Sequence, residues 1–125
     1  MFATGVSAGD NPFAGVNFAP MLPIRTPEMQ SGDAPTITLK TEVPRAMFLI
    51  GSDQRSFRWL KKHGKRLRAL NAVGLIVDVD NVHALRAMLS AGEGLVIVPT
   101  SGSDIAAALN LSVYPVLLEG DHAGP

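Results

Sequence analysis

Seven of the eleven basic residues in this chain, Arg55, Arg58, Lys61, Lys62, Lys65, Arg66 and Arg68, fall within residues 55–68, with no acid among them. Concentrated positive charge acts on anions, on carboxylates and phosphates above all. The formal net charge of the whole chain is zero, so the asymmetry is local. Three readings follow from it. The stripe is the solvated outer face of a surface helix, a docking face for an acidic partner or lipid headgroups, or a track for nucleic-acid phosphates. A single helix with a single tryptophan is a thin nucleic-acid signature, because a groove-reading motif would show more.

The other residues able to do chemistry are dispersed. Gly51-Ser52-Asp53 and Gly102-Ser103-Asp104 each stand between an apolar run and a helical pattern, where helix amides can hold phosphate. Neither has the glycine spacing of a nucleotide-binding loop, and each aspartate would repel a phosphate, so helix capping accounts for them better. Asp78 and Asp80 end a strand at the position where open α/β sheets gather ligands, but without a third acid or a companion lysine nearby. His63, His83 and His122 lie on three separate elements at no metal-ligand spacing. Ser52, Ser56, Ser101 and Ser103 sit in no nucleophile elbow. The chain has no cysteine, which rules out disulfides, thiolate metal sites and a thiol redox centre. The residues therefore give no catalytic constellation, no metal site and no cofactor site; an enzyme working around Asp53, Asp78 and Ser101 ranks last.

Elements must position that stripe, and a composition of 46% hydrophobic and 18% charged residues supports a packed core for them. Residues 1–44 are punctuated by Gly5, Gly9, Pro12, Gly15, Pro20, Pro23, Pro27, Gly32 and Pro35, which excludes a helix and predicts an extended or disordered segment. Phe13, Phe18 and Met21 could dock it, and Thr36–Thr41 alternates like a short edge strand. From residue 45 the pattern is regular. Apolar runs at 47–50, 74–79, 95–98 and 114–118 alternate with helical periodicity at Phe57, Leu60, Gly64 and Leu67, at Val82, Leu85, Met88 and Leu89, and at Ile105, Ala108 and Leu109. This predicts a single small α/β domain over 45–120, a mostly parallel β-sheet with covering helices, and a polar tail at 121–125. Pro115 must open a strand or lie on an edge, since it cannot donate to a ladder, and Tyr114 before it makes a cis bond more accessible. No run approaches the roughly 18 apolar residues of a membrane span, and MFATGVSAGD has no basic and apolar regions like those of an export signal.

On a helical wheel the seven cations fill the arc opposite Phe57, Leu60 and Leu67, with Trp59 and His63 at the boundary. Arg55, Arg58, Trp59, Lys62 and Lys65 are thus the candidate partner-binding residues of the helix.

The chain from Leu22 onward resembles a family of small proteins encoded in the transfer regions of integrating conjugative elements, beside type IV secretion genes. The motifs are Leu22-Pro23-Ile24-Arg25-Thr26-Pro27-Glu28, Phe48-Leu49-Ile50-Gly51-Ser52-Asp53, Ala72-Val73-Gly74-Leu75-Ile76-Val77, Leu95-Val96-Ile97-Val98-Pro99 and Tyr114-Pro115-Val116-Leu117-Leu118. The resemblance implies a part in conjugation and horizontal gene transfer, with other type IV secretion proteins as partners. It also implies a periplasmic or envelope location, from which this chain departs in showing no signal sequence; a cytoplasmic location stays open. A second similarity links Leu109-Asn110-Leu111 and Tyr114-Pro115 to thioredoxin-like conjugative pilus-assembly proteins. It implies a thioredoxin-like domain without its redox cysteines, in which Tyr114 and Pro115 contact extended peptides. The combined expectation is a non-catalytic accessory or assembly component acting by protein binding, with nucleic-acid binding by the basic helix as the alternative.

Overall fold

Local sequence accounts for two of the three α-helix starts among the described residues; the third, at Ser103, follows Gly102 and has no side-chain cap. In the computed structural model, which describes residues 16–125, Asp53 stands just before α1 (Gln54–Ala69), and its Oδ2 accepts from the Ser56 amide at 3.3 Å. Asn81 precedes α2 (Val82–Ala91), where its Oδ1 accepts from the Ala84 amide at 2.9 Å. Each side chain satisfies an amide that the first turn leaves without a partner. Helix α3 (Ser103–Leu109) ends at Asn110, in the left-handed conformation with φ 57°, which asparagine adopts more readily than most residues.

The strands are β1 (Gln30–Ser31), β2 (Ile37–Thr38), β3 (Met47–Gly51), β4 (Val73–Asp78), β5 (Val96–Pro99), β6 (Val113–Tyr114), β7 (Val116–Glu119) and β8 (His122–Gly124). Six of them form one sheet in the order β2-β8-β7-β3-β4-β5, and β1 pairs with β6 in a separate parallel pair. The expectation of a mostly parallel sheet is overturned. Only β3–β4 and β4–β5 are parallel there, whereas β2–β8, β8–β7 and β7–β3 are antiparallel. The reason lies after α3. Residues 113–114 leave the main sheet to pair with β1, and the chain then returns as β7 against β3 in the opposite sense. A two-residue turn through Gly120, at φ 60°, sends it back as β8, a hairpin that needs no crossover helix. Residues 122–124, expected to be tail, are therefore a strand inside the sheet.

Residues alternate between two cores. Phe48, Ile50, Ile76, Ile97 and Leu117 pack with Leu60 and Leu67 of α1 and Leu85 and Met88 of α2. Leu49, Val77, Val116, Leu118 and Ala123 pack on the other face with Ala106 of α3 and with Met29, Ala34 and Leu39 of the N-terminal segment. Gly74 is required at its place, since a Cβ there would lie 2.3 Å from the Phe48 ring. The N-terminal stretch expected to be extended thus supplies core residues from Ile24 onward, and Thr36–Thr41 contributes the edge strand β2. Phe13 lies outside the described residues.

Candidate functional site

Helix α1 buries Ser56, Trp59, Leu60, Gly64 and Leu67 and leaves all seven cations exposed. The buried arc is rotated from the one the sequence predicts: Trp59 is 9% exposed while Phe57 is only half-buried. The indole packs near Phe48, with ring centroids 5.9 Å apart, and near His63 at 5.0 Å. Its Nε1–H is buried and meets no hydrogen-bond acceptor among the described residues. Burial, aided by the charges of Lys62 and Arg66, lowers the His63 pKa, so that ring favours its neutral form.

The stripe is divided by its partners. Arg55 pairs with Asp33 at 2.7 Å and Arg66 with Glu119 at 2.7 Å. Arg68 donates through Nε to the Glu93 carbonyl at 2.8 Å, and Lys61 stands 5.6 Å over the Phe57 ring. Arg58, Lys62 and Lys65 make no ion pair among the described residues.

Beside this helix runs a groove of about 300 Å³. One wall is Arg55, Arg58, Trp59 and Lys62; the other side is made by Gly32, Asp33 and Ala34, with Pro115 and Pro125. Five of the candidate residues, four on α1 and Pro115 from a distant part of the chain, therefore meet at one concave surface. Lys65 is exposed a turn further along and does not line it. Tyr114 does not either: it is 6% exposed, and its ring lies where a Cβ on Gly51 would come within 2.5 Å. Burial pushes its phenol up to about 12, with the Asp78 and Asp53 carboxylates adding to the shift and Arg25 opposing it. The peptide between Tyr114 and Pro115 is cis, as is that between Leu22 and Pro23. The groove side formed by residues 32–34 escaped the sequence reading. A lone Asp33 in a Gly/Pro-rich stretch gives no local sign that it will face Arg55.

The strand ends where α/β sheets collect ligands carry something else. Residues 22–31 cross that edge. Ile24 bridges Val79, and Arg25 pairs with Asp80 and lies 3.4 Å from Asp78. The buried Thr26 hydroxyl donates to the Val77 carbonyl at 2.7 Å and accepts from the Gly102 amide at 2.8 Å. Ser31 donates to Asp53 at 2.6 Å, and Ser103 donates to Glu28 at 2.6 Å. Burial tends to raise the Asp53 carboxyl, but hydrogen bonds from Ser31 and Ser56 outweigh it and hold the group below its ordinary value. Burial raises Asp78 against the pull of Arg25. Among the described residues, no three His, Asp or Glu side chains come together as a metal-binding group, and no helix is long and apolar enough to cross a membrane.

Fold and site together define a small α/β protein with a mixed sheet and a basic-walled groove. The chain belongs to the family described as "Protein of unknown function (DUF2859)", whose sequence model matches residues 5–122. No curated protein and no solved structure matches it.

Proposed function

We propose that this protein is a non-catalytic accessory or assembly component of a conjugative type IV secretion apparatus, and that it binds another transfer protein through the groove beside α1. The conjugative setting, with a periplasmic or envelope site, rests on the resemblance in motif order and spacing. The binding mode rests on one observation: Arg55, Arg58, Trp59, Lys62 and Pro115 line the same concave surface. A groove lined by Arg58 and Lys62, which make no ion pair among the described residues, together with Trp59 and two prolines offers charge for steering and apolar area for affinity. A nucleic-acid track would draw on the whole stripe, but Arg55, Arg66 and Arg68 are already engaged within the chain.

The test is affinity capture from donor cells with the wild-type chain and with Arg58→Glu, Lys62→Glu and Lys65→Glu combined. Recovery of a transfer-apparatus protein by the wild type, its loss with the triple variant and a fall in transfer frequency are expected. Normal transfer by the triple variant, with no apparatus protein captured by the wild type, sinks the proposal. Salt-sensitive binding of a single-stranded oligonucleotide, abolished by the same changes, would favour the nucleic-acid alternative.

A further inference from the structure

The sheet face beneath α1 is covered unevenly. Over β3, β4 and β5 it is packed by α1 and α2. The register shows what lies over β7, β8 and β2. Leu118 pairs with Ala123 and Ile37 with Ala123, all belonging to the core on the opposite face. Strand alternation then puts Leu117 with Gly124, Glu119 with His122, and Thr38 with His122 on the α1 side. There Thr36, Thr38 and His122 are exposed, and a second depression of about 290 Å³ runs between Arg66, Leu117, Glu119, His122, Gly124 and Thr36. Both depressions are lined by Pro125. The two depressions follow one another along α1 from Arg55 to Arg66, about 16 Å at the rise of a helix, and are taken together as one trough that meets at Pro125.

We infer that this trough seats an acidic amphipathic helix of the partner, lying beside α1 over β7 and β8. The inference rests on the protein-binding proposal and adds the chemistry and shape of the occupant. Charge comes from Arg58 and Lys62, which make no ion pair among the described residues and call for carboxylates. Shape follows from the sheet. Strand β8 is paired on both edges, by β7 and by β2, so whatever lies across it finds no backbone ladder to join. An extended peptide would leave its own amides and carbonyls unpaired there. A helix satisfies them internally, and helices beside one another on a sheet complete the layer. Its small apolar side chains would face Leu117 and Gly124, and its carboxylates Arg58 and Lys62.

The probe is a synthetic alanine-rich peptide of about 16 residues with glutamates at every third or fourth position on one face. A control of the same length has one central alanine replaced by proline. Trp59 is the single tryptophan of the chain, so its emission reports binding at the trough. The helical peptide should bind saturably at low ionic strength, about tenfold tighter than the proline-containing control. Arg58→Glu with Lys62→Glu should abolish binding. At exposed Thr36, beyond the first groove, Thr36→Glu should weaken binding and Thr36→Lys strengthen it, each by about threefold. Equal affinity of the two peptides overturns the inference, as does indifference to both Thr36 changes while the Arg58/Lys62 reversal still abolishes binding. Either result leaves protein binding in place. Absence of any binding by the helical peptide also overturns the inference, while capture from donor cells decides the broader proposal by itself.

Discussion

Tyr114 is the single tyrosine of the chain, and its phenol is held where ionisation is disfavoured. Burial comes first among the causes, followed by the fields of Asp78 and Asp53, which together raise its pKa to about 12. A group whose folded pKa lies above its unfolded value contributes stability that is complete below the unfolded pKa. That contribution is lost as pH rises through the folded one. The window here runs from pH of about 10, the ordinary tyrosine value, to about 12. Near-ultraviolet titration of tyrosinate should therefore show a midpoint near the upper limit in the folded protein and near the lower limit in urea. Tyr114→Phe should flatten the loss of stability across that window. A folded midpoint at the urea value would show that the ring is not held as described. Thr26 makes a second residue-level case. Its buried hydroxyl serves both the Val77 carbonyl and the Gly102 amide, so Thr26→Val keeps the shape but leaves two backbone groups unpaired. A cost of about 2–3 kcal/mol follows, measured by urea unfolding, with Thr26→Ser losing less.

Among the elements, the start of α1 couples three parts of the molecule. Asp53 caps the helix, accepts from Ser31 of β1, and is followed by Ser56, whose hydroxyl accepts from the Gly51 amide at 2.9 Å. Asp53→Ala should cost about 1–2 kcal/mol and loosen the segment that carries Gly32, Asp33 and Ala34 into the groove; amide exchange at Gln30–Gly32 would report it. Unchanged exchange there would mean that the β1–β6 pairing holds the segment alone. The elements that the sequence made plain were those with local signals. Met47–Ile50, Gly74–Val79 and Leu95–Val98 read as buried strands because they are continuous apolar runs, and the helices between them announce themselves by period and by Asp53 and Asn81. What stayed hidden depended on residues far apart in the chain. Nothing near Val116 says that β7 runs against β3, and His122-Ala123-Gly124 has no alternating apolar pattern to mark a strand. The rotation of α1 that buries Trp59 is set by Phe48 across the core. For the same reason the sequence put forward Arg55, Arg58, Trp59 and Lys62 on one helix and Pro115 apart from them, and only the fold brings all five to one groove with residues 32–34.

At the scale of the whole molecule the sheet has two halves with different support. The parallel half, β3–β4–β5, is held by short crossovers through α1 and α2 and packed on the face they cover. The antiparallel half depends on β8, which links β2 to β7 and sets the buried Ala123 against Leu118 and Ile37. The amide of Leu39 also donates to the Asp121 carbonyl at 2.6 Å, so this edge is held mainly by the last few residues described. Local opening should follow that division, because regions with few buried contacts and dependent hydrogen bonds open below the global free energy. Deleting residues 121–125 removes β8, the Leu39 acceptor and one wall of the trough. Hydrogen exchange should then accelerate at Ile37–Leu39, while the amides of β3, β4 and β5 stay the most protected. Global stability should fall by about 2 kcal/mol or more from the lost hydrogen bonds and apolar burial. The acidic helical peptide should no longer shift Trp59 emission, although Arg58 and Lys62 remain in place on α1. Peptide binding that survives the deletion would confine the occupant to the charged wall. Uniform acceleration across β3–β5 would show that the halves unfold as one unit, with no independent weak edge.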